Sequence, residues 1–513
     1  MQEYIYNIGC QFNKVANENS SRVALRYPDG RELSYAALDV LSNKIAHYFL
    51  ARGLKKGDVI ALFNNKSPLG YGCMLGALKC GIIYTNLDLT SPYQRIKKII
   101  ERCAPKVIIY DVDCEIKKDV AELQIDSINL YEDFISVIAG YDDELPAETQ
   151  GVTGAAGAYI MFTSGSTGFP KGAVITHANL LNFIHWGQTT YSITSDDVLT
   201  NANPIYFDNS VFDFYISLFS GAKLVPLTNE LTKDPFTLMK AVGAAGCTTW
   251  FSVPSLLVYL MTTKALGAKS LPTVKRFIFG GEGFPKPKLK KLFEMYGAQA
   301  TLYNVYGPTE CTCICSSYTI SEADFADMNV LAPLGYLAPN FNFVLANTDE
   351  SGTFGELCLM GPNVGAGYYN DAERTSKSFI QNPYNALYNE VVYKTGDLVQ
   401  VDAEGKLHFK GRADNQVKHM GYRIELEEIE SMLSTLNYVN EVAVIYDRIN
   451  ESFGQILAYV SVSAPKQDSE VIHDLKLLVP EYMVPRKVYI MDHLPKNHNG
   501  KIDKVALKAI KQD

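Results

Sequence analysis

Short apolar runs of strand length alternate along this chain with segments whose apolar residues recur at the period of a helix. Residues 35–50 have helical spacing, and Ser34 precedes them at the position of an N-cap. Strand-like runs lie at residues 59–62, 106–110, 276–279 and 442–446. Such alternation is typical of α/β proteins, in which helices cover the faces of a sheet. The pattern therefore predicts an α/β fold with helix-covered sheets.

The length of the chain, 513 residues, exceeds what one hydrophobic core usually fills. From Tyr393 onward the sequence becomes polar and is punctuated by glycine, and residues 411–415 are typical of an exposed connector. The residues after this connector contain strand and helix signals of their own. We therefore expect a large N-terminal domain followed by a small α+β domain.

Charge and hydropathy narrow the range of partners. The formal net charge is −9 and no block of Lys or Arg occurs, which argues against a nucleic-acid surface. No apolar run approaches membrane length, and the first residues lack the basic and apolar regions of a signal peptide. We expect a cytoplasmic, monomeric protein that binds neither nucleic acid nor membrane.

The ten cysteines are scattered and form no CxxC pair, and the eight histidines form no pattern of zinc ligands. Reduced thiols and the absence of zinc are the expectation. Cys311, Cys313 and Cys315 alternate, which predicts that they pack on one face of a strand.

A loop rich in glycine and hydroxyl side chains directly follows the apolar run at residues 158–161. Residues 162–172 read FTSGSTGFPKG. The glycines allow tight turns, the hydroxyls donate hydrogen bonds and Lys171 adds a cation, so a polyanion such as the phosphates of a nucleotide suits this loop. The alternative is a flexible linker, which the preceding strand disfavours. The spacing is not that of the Walker motif, so a P-loop NTPase is disfavoured. The predicted phosphate-binding residues are Thr163, Ser164, Gly165, Ser166, Thr167 and Lys171.

Five further motifs follow in a fixed order. They are NVYGPTE at 304–310, YKTGD at 393–397, GRADNQVK at 411–418, GYRIE at 421–425 and PKNHNGK at 495–501. Together with the loop, and with LSYAAL at 33–38, they make the chain resemble the adenylate-forming superfamily over nearly its whole length. This superfamily contains acyl-CoA synthetases, firefly luciferase and the adenylation domains of nonribosomal peptide synthetases.

The resemblance implies a reaction in two steps. A carboxylate attacks the α-phosphate of ATP to give an acyl-adenylate and pyrophosphate, and a thiol then captures the acyl group. By match to the family motifs, Glu310 would bind Mg²⁺, Thr309 would contact the α-phosphate, and Tyr306 would stack on adenine. The other predicted ATP-binding residues are Asn304, Asp397 and Arg412 for the nucleoside and its phosphate, and Gly280, Gly281 and Glu282 along the adenine edge.

The resemblance also implies a mobile small domain. Lys501 would enter the site from that domain during adenylation, with Thr309 and Glu310 completing the catalytic set. Lys418 and Gly421 would replace Lys501 in the thiol-capture arrangement. The hinge residue matched by motif is Asp414, which divides the chain into a core at 1–411, a hinge at 412–415 and a lid domain at 416–513.

Asp208 identifies the substrate class. Residues 206–213 read YFDNSVFD, and in amino-acid-activating members of the superfamily an Asp at this position pairs with the α-ammonium group. An aspartate that caps the following helix is the alternative. By motif, the remaining pocket residues are Asn209, Phe212, Phe251, Ile278, Gly280, Val305, Cys313 and Ile314.

The predicted pocket lining is mostly apolar and suits an aliphatic or cyclic amino acid such as proline, valine or isoleucine. D-Alanyl-carrier protein ligases are an alternative, because residues 280–285 resemble them. Neither a carrier-protein serine motif nor a condensation motif occurs in the sequence. We therefore expect transfer to the phosphopantetheine thiol of a separate carrier protein.

Two other classes of function remain open. An acyl- or aryl-CoA ligase would keep every ATP motif but would not need Asp208. A catalytically silent ATP-binding protein would have lost Lys501 or Glu310, and both are present.

Overall fold

The computed structural model describes residues 4–165, 168–450, 453–497 and 502–510. The helices of these residues are α1 (Ile8–Glu18), α2 (Tyr35–Ala51), α3 (Pro68–Cys80), α4 (Tyr93–Cys103), α5 (Ile116–Ala121), α6 (Phe134–Ile138), α7 (His177–Tyr191), α8 (Asn209–Val211), α9 (Ser217–Phe219), α10 (Asn229–Lys233), α11 (Pro235–Ala244), α12 (Pro254–Thr262), α13 (Lys286–Tyr296), α14 (Ala372–Ser378), α15 (Leu426–Leu433), α16 (Asp468–Lys476) and α17 (Lys504–Ala509).

The strands that precede residue 320 are β1 (Val23–Arg26), β2 (Glu32–Ser34), β3 (Val59–Phe63), β4 (Ile83–Asn86), β5 (Val107–Tyr110), β6 (Asp126–Asn129), β7 (Gly157–Thr163), β8 (Lys171–Thr176), β9 (Val198–Asn201), β10 (Lys223–Pro226), β11 (Thr249–Ser252), β12 (Arg276–Gly280), β13 (Thr301–Tyr306) and β14 (Ser316–Thr319). The later strands are β15 (Tyr336–Leu337), β16 (Asn342–Ala346), β17 (Phe354–Met360), β18 (Phe379–Gln381), β19 (Val391–Val401), β20 (Leu407–Arg412), β21 (Gln416–His419), β22 (Tyr422–Glu425), β23 (Val439–Asn450), β24 (Phe453–Val462) and β25 (Lys487–Ile490).

Two large sheets form the main body of the protein. One has the order β6-β5-β3-β4-β7-β8, and the other has the order β15-β14-β13-β12-β11-β9-β10-β1-β2. Their central strands run parallel, and antiparallel strands lie at the edges, namely β8 in the first sheet and β2 and the pair β14–β15 in the second. The largest apolar cluster contains residues of both sheets and of α1, α2, α3 and α7, so these helices fill the space between the sheets. A second cluster packs α11, α12 and α13 on the opposite face of the longer sheet.

A third, antiparallel sheet follows, in which β17 and β19 are central. The chain then passes into a small domain with its own apolar cluster, built from the hairpin β21–β22, the sheet β23-β24-β25, and α15 and α16. The expected fold class, a large α/β domain followed by a small mixed domain, is confirmed. The hinge at 412–415 stays a prediction.

Local signals in the sequence and the structure agree at several elements. The runs predicted at 59–62, 106–110, 276–279 and 442–446 correspond to β3, β5, β12 and β23. Ser34 caps α2, since its side chain accepts a hydrogen bond from the backbone N–H of Ala37 at 3.1 Å. Within the described residues, no helix is both long and apolar enough to span a membrane.

The strand predicted for the three alternating cysteines is wrong. Cys311 ends a 3₁₀ turn, Thr309–Cys311, and Cys313 has φ of 72°, so the chain turns sharply before β14 begins at Ser316. All three thiols are nevertheless buried, because the turn lies between the apolar cluster shared by the two large sheets and the cluster of the third sheet. Their packing role, the second half of that prediction, agrees with this burial.

Candidate active site

A cavity of about 130 Å³ opens where three parallel strands of the longer sheet end. Residues at the carboxyl ends of β11, β12 and β13 line it, as do residues of the hairpin β21–β22 from the small domain. A second cavity, of about 390 Å³, adjoins it and shares Tyr306, Arg412 and Lys418 with it. Open α/β sheets commonly bind ligands at the carboxyl ends of their strands. The candidate site therefore lies between the two domains.

The glycine-rich loop connects β7 to β8 at the rim of this site. Gly165 has no room for a side chain, because a Cβ there would lie 2.1 Å from the carbonyl oxygen of Phe169. Gly168 has φ of 76°, a conformation that favours glycine. Ser164 is buried, and its hydroxyl donates to the carbonyl oxygen of Arg423 at 2.6 Å and accepts from the N–H of Glu425 at 3.1 Å. The tight turn thus presents polar groups, which the small domain contacts in this arrangement.

Two predicted members of this loop, Ser166 and Thr167, lie outside the described residues. Thr163 pairs in register with Lys171 where the strands β7 and β8 leave the loop. Burial lowers the pKa of Lys171, and the nearby Arg423 lowers it further, against the opposing effect of Glu310 and Glu425. The Lys171 ammonium lies 3.2 Å from Glu310 Oε1 and 4.0 Å from Glu425 Oε1.

Glu310 is completely buried, and both of its carboxylate oxygens are engaged. Oε1 accepts a hydrogen bond from the hydroxyl of Tyr368 at 2.8 Å and faces Lys171, and Oε2 accepts from Arg423 Nη1 at 2.7 Å. Burial disfavours the charge on Glu310, but the guanidinium of Arg423 and the ammonium of Lys171 outweigh it and hold the pKa of Glu310 well below its usual value. Glu310 is therefore an anion with cationic partners on two sides.

Glu310 does not fit a magnesium ligand in this domain arrangement. Arg423 already occupies one carboxylate oxygen, and no group of three or more acidic, His or Cys side chains that could hold a metal ion occurs among the residues described here. A cation bound at Glu310 would have to replace the guanidinium. The magnesium site predicted from the sequence thus conflicts with the position of the small domain.

Tyr306, Asp397 and Arg412 form one connected group. Asp397 accepts a hydrogen bond from the Tyr306 hydroxyl at 2.6 Å and another from Arg412 Nη1 at 2.7 Å. Arg412 also forms two bonds to the carboxylate of Asp414, at 2.8 and 2.6 Å. Burial opposes the charge on Arg412, yet Asp397 and Asp414 raise its pKa above the ordinary value. Three of the residues predicted to bind ATP are therefore brought together around the carboxylate of Asp397.

Glu282 joins the predicted adenine edge to the small domain. Its Oε1 accepts from the N–H of Ser255 at 2.7 Å, and its Oε2 accepts from the N–H of Gly421 at 2.8 Å. Asn304, one strand away, donates to the carbonyl oxygen of Pro333 at 2.8 Å. Gly280 and Gly281 line the cavity directly.

The hairpin β21–β22 places Lys418 and Gly421 in the cavity wall. The ammonium of Lys418 lies 5.5 Å from the centre of the Tyr306 ring, and burial lowers its pKa. Gly421 has φ of 83°, and a Cβ there would lie 2.6 Å from Val253 Cγ1. Glycine is therefore required at 421 for the hairpin to approach the large domain so closely. Lys501 lies outside the described residues.

Asp208 lies at the wall of the cavity and does not cap the helix that follows it. One of its oxygens accepts a hydrogen bond from the hydroxyl of Thr309. Burial raises the pKa of Asp208, which the Thr309 hydroxyl and the charge of Lys418 partly oppose. A cationic group bound beside Asp208 would stabilise its charged form.

Seven of the nine residues predicted for the substrate pocket line the cavity, namely Asp208, Asn209, Phe251, Gly280, Val305, Cys313 and Ile314. Phe212 and Ile278 lie behind this wall, and both are completely buried in the core between the sheets. The Phe212 ring packs edge-on against Phe251 with centroids 4.9 Å apart. Phe212 thus supports the wall and does not form its surface.

A buried polar group also supports this wall. Asn203 donates to the carbonyl oxygen of Phe251 at 3.1 Å and to Asp213 Oδ2 at 3.0 Å. Lys66 is buried nearby, and its ammonium donates to the carbonyl oxygens of Asn201, Asn203 and Leu227 at 2.7, 2.9 and 2.7 Å. Burial raises the pKa of Asp213 and lowers that of Lys66, and the charge of each side chain stabilises the charged form of the other. No sequence motif indicated this group.

Several small-domain side chains in the site were missed from the sequence. Arg423 and Glu425 belong to the quoted motif at 421–425 but were given no role. Glu428, in the first turn of α15, accepts a hydrogen bond from the N–H of Gly165 at 3.1 Å and pairs with Arg95 of α4. The only signal in the sequence for Glu428 is the acidic run after residue 424, and exposed helices also carry such runs.

Comparison with known proteins gives a consistent assignment. Residues 12–369 match the family described as AMP-binding enzyme, and residues 428–501 match the AMP-binding enzyme C-terminal domain. The chain is 30% identical to a D-alanine–D-alanyl carrier protein ligase of Lacticaseibacillus rhamnosus over 518 residues, which cover 98% of this chain and 99% of that protein. It is 32% identical to part of surfactin synthase subunit 3 of Bacillus subtilis, covering 98% of this chain and 38% of that protein.

Solved structures agree on the fold. An artificially fused adenylation–PCP di-domain protein, NpsA-ThdA from Klebsiella oxytoca, superposes with a TM-score of 0.80 at 21% identity, covering 95% of this chain and 94% of that one. The superposition includes both domains, because it leaves out so little of either chain.

Proposed function

Because the chain belongs to the AMP-binding enzyme family, we propose that it is an AMP-forming ligase that activates a small amino acid, D-alanine, and transfers it to a carrier protein. In the first step the amino-acid carboxylate forms a bond to the α-phosphorus of ATP, and the bond from that phosphorus to the bridging oxygen breaks, which releases pyrophosphate. In the second step a carrier thiolate attacks the acyl carbon, and AMP leaves. ATP and a phosphopantetheinylated carrier are the implied co-substrates.

The observation that carries the proposal is the position of Asp208. Its carboxylate lies in a largely apolar cavity, hydrogen-bonded to Thr309, which follows the end of β13. A buried carboxylate without a cation is costly, and the α-ammonium of an amino acid is a cation of the right size. Thr309 would then lie between the ammonium site and the reacting phosphate. A carboxylic acid without an amine would bring no cation to Asp208, which would keep only the Thr309 hydroxyl and the charge of Lys418.

Full-length similarity favours D-alanine over the aliphatic and cyclic amino acids expected from the apolar lining. D-Alanine–D-alanyl carrier protein ligases from Lacticaseibacillus and Bacillus species match this chain from end to end at 30% identity. Gly280 itself admits no side chain, because a Cβ there would lie 2.4 Å from the carbonyl oxygen of Val305 in the neighbouring strand.

A second candidate is proline, valine or isoleucine. It is favoured by the side chains of Phe251, Val305 and Ile314 in the cavity wall, which would bury a larger aliphatic group. The two candidates share every ATP contact and differ only in the size of the side chain accepted.

In the arrangement described here, the residues around the cavity suit the second step. Lys418 and Gly421 of the small domain face Tyr306 and Glu282 of the large domain, and the hairpin that carries them closes one side of the cavity. We assign Lys418 the task of balancing the charge of the adenylate phosphate while the thiol attacks. Lys501 keeps the corresponding task in the first step. The carboxylate of Asp397 is assigned to the ribose hydroxyls.

Amino-acid-dependent exchange of pyrophosphate into ATP tests the proposal directly. The panel contains D-alanine, L-alanine, proline, valine and isoleucine, with propionate and benzoate as acids that lack an amine. The expected result is exchange that is fastest with D-alanine and at background with the two acids. Preferred exchange with proline, valine or isoleucine would select the second candidate. Exchange with propionate at the D-alanine rate would reject amino-acid activation altogether.

The carrier is tested separately. Radiolabelled D-alanine should load a holo-carrier of a D-alanylation system, and it should load neither the apo-carrier nor free coenzyme A at a comparable rate. Thioester formation with coenzyme A as fast as with every carrier tested would indicate a CoA ligase.

A further inference from the structure

We propose that Lys66 and Asp213 determine which size of side chain the amino-acid site accepts, because the buried group that they form holds the wall of the cavity in place. Asn203 and Phe251 line the cavity, whereas Lys66 and Asp213 are buried behind them. The inference rests on the proposed function, because it takes this cavity as the amino-acid site. Both residues are assigned positioning roles.

Side chains hold Phe251 to the neighbouring strand where backbone pairing has ended. Among the described residues, β9 and β11 pair at a single position, where Thr249 faces Leu199. Nearer the cavity, the N–H of Phe251 donates to Thr200 Oγ1 at 3.4 Å, and its carbonyl oxygen accepts from Asn203 Nδ2 at 3.1 Å. The distance between the two strands at the cavity wall therefore depends on where Asn203 lies.

The ammonium of Lys66 fixes the backbone at the ends of two strands. It donates to the carbonyl oxygens of Asn201, Asn203 and Leu227 at 2.7, 2.9 and 2.7 Å. These carbonyl groups converge because β9 ends at Asn201 and β10 ends at Pro226. Buried carbonyl groups need donors, and an ammonium has three hydrogens to donate. Lys66 therefore satisfies three carbonyl groups from one atom and, through Asn203, fixes the wall.

Asp213 holds Asn203 from the other side and carries the opposite charge. Its Oδ2 accepts from the amide groups of Asn201 and Asn203 at 2.9 and 3.0 Å, while its Oδ1 has no hydrogen-bond partner among the residues described. Burial disfavours both charged forms, and the opposite charge stabilises each of them. Lys66 and Asp213 therefore act as a pair.

The same pair reaches the second aromatic ring of the wall. Asp213 directly follows Phe212 in the π-helical turn Phe212–Ile216. The ring of Phe212 packs edge-on behind Phe251, with centroids 4.9 Å apart. Turns of this kind occur often at functional sites. Phe251 is thus held through its backbone by Asn203 and through its ring by the neighbour of Asp213.

The backbone of Lys66 adopts a conformation that residues other than glycine rarely take, with φ of 63°. Its N–H donates to Asn64 Oδ1 at 2.8 Å, and its carbonyl oxygen accepts from the Tyr27 hydroxyl at 3.0 Å. These two contacts hold the strained loop from which the side chain enters the core. The position of the ammonium is therefore fixed from its own loop as well as from the three carbonyl groups.

Loss of the ammonium would leave three buried carbonyl groups without this donor, which is costly unless the strand ends move or admit water. Asn203 and Phe251 would move with them. An apolar pocket discriminates between side chains of different size only while its wall stays in place, and one methylene group is then worth roughly 10- to 200-fold in kcat/KM. Variants without the pair should therefore accept larger side chains relative to the preferred one.

The test is amino-acid-dependent pyrophosphate exchange by the full-length variant Lys66→Met at saturating ATP. The measured quantity is the ratio of kcat/KM for the preferred amino acid to kcat/KM for its homologue with one additional methylene group. This ratio does not depend on how much of the protein is folded, so a loss of stability alone leaves it unchanged. We expect the ratio to fall at least about fivefold, while the KM for ATP changes less than about twofold.

The matched control is Lys79→Met, which removes another buried lysine of the same domain. The ammonium of Lys79 also has three acceptors, Asp39 Oδ1, Ser42 Oγ and Asn43 Oδ1, at 2.7, 2.7 and 2.6 Å. These acceptors belong to α2, which does not line the cavity. The control should lower the melting temperature, as Lys66→Met should, but its ratio should stay within about twofold of the unmodified protein's ratio.

Asp213→Asn is the second variant, in case Lys66→Met does not fold, which a thermal melt would reveal. It keeps an acceptor for Asn201 and Asn203 but removes the charge that stabilises the ammonium of Lys66. A neutral amine donates to only two of the three carbonyl oxygens. The ratio should therefore fall in the same direction, by at least about twofold.

A ratio that is unchanged or higher in both variants would overturn the proposal, and so would an equal fall in Lys79→Met. Failure of both variants to fold, while Lys79→Met folds, would assign the pair to folding alone and would overturn it as well. An unmodified protein without amino-acid-dependent exchange would refute the proposed function, and the selectivity role with it. The two kinds of failure are distinguishable, because the second appears in the unmodified protein.

Discussion

Replacement of Asp208 by alanine tests the substrate class most sharply. The variant removes the carboxylate that would pair with the α-ammonium group, and it leaves the glycine-rich loop and Asp397 untouched. Truncating one partner of a buried, hydrogen-bonded charge pair costs about 2 to 5 kcal/mol. At about 1.4 kcal/mol per factor of ten, this range corresponds to a loss of roughly 30- to 4000-fold in kcat/KM for the amino acid.

The structure favours the lower end of this range. Asp208 faces a cavity that water can enter, and Thr309 and Lys418 remain nearby in the variant. We therefore expect about 2 kcal/mol, or a loss of roughly 30-fold in kcat/KM. The KM for ATP should change by less than about twofold, since no contact predicted for the nucleotide is removed.

The assay is pyrophosphate exchange over a range of amino-acid concentrations at saturating ATP, and then over a range of ATP concentrations. Asp208→Asn serves as the control of equal shape, and it should lose nearly as much as Asp208→Ala because the charge carries the interaction. A loss below about threefold in both variants would refute the pairing of Asp208 with an ammonium. So would an equal rise in both KM values, which would indicate a general disturbance of the site.

Three further predictions concern the two half-reactions and their dependence on pH. Lys501→Ala should lower the rate of adenylation by roughly 10²- to 10³-fold, the effect of one charge-stabilising contact, and should affect transfer from supplied adenylate much less. The control is Lys504→Ala, which removes an ion pair with Glu430 inside the small domain. Equal losses in both half-reactions of Lys501→Ala would contradict the assignment. Asp414→Pro should fix φ at the predicted hinge, so pyrophosphate exchange should persist while the rate of carrier loading falls sharply. The control, Asp414→Ala, also removes the carboxylate that pairs with Arg412 but leaves the backbone free to rotate. Equal rates of carrier loading in the two variants would argue against a hinge at Asp414. Because burial raises the pKa of Asp208, this carboxylate takes up a proton at a higher pH than an ordinary aspartate. The kcat/KM for the amino acid should therefore fall as the pH falls toward that raised pKa, while the kcat/KM for ATP stays level. An identical pH profile in Asp208→Asn would show that another group titrates.

The fold could be predicted from the sequence where local pattern and tertiary environment agree. The runs that became β3, β5 and β12 are buried on both faces, so they read as unbroken apolar stretches. The strand predicted for Cys311, Cys313 and Cys315 is wrong because burial of every second residue has two physical origins. In a strand it reflects two faces, whereas here a 3₁₀ turn and two residues with positive φ, Thr312 and Cys313, bury all three thiols without a strand.

The candidate site could be predicted where the residue types of a motif themselves determine what the motif can bind. Asp208, Gly280 and Gly421 were placed by motif, and each lines the cavity. Phe212 and Ile278 were also chosen by motif, but they lie one layer deeper. Sequence spacing gives the direction of a side chain along an element but not its depth, which depends on the π-helical turn at Phe212–Ile216 and on how β12 packs against its neighbours.

The contacts between the domains could not be predicted, because they depend on which of two surfaces the small domain presents. Arg423 and Glu428 look, in sequence, like members of a charged surface. Only the docked position shows that each meets a buried group of opposite polarity, Glu310 and the N–H of Gly165.

Buried charges on both sides of the domain interface explain why the docked arrangement can be specific without being permanent. Glu310 and Arg95 are buried on the large domain, and each would be left without its small-domain partner if the domains separated. Removing one partner of a buried charge is costly, so the domains separate readily only when other ions take those partners' places or water reaches the groups. In the proposed reaction, ATP with its phosphates and accompanying cation would supply such ions at the start of each cycle, and the departure of pyrophosphate would remove them after the first step. The same charges that are proposed to bind the nucleotide would therefore favour the docked small domain once the nucleotide's phosphates have left.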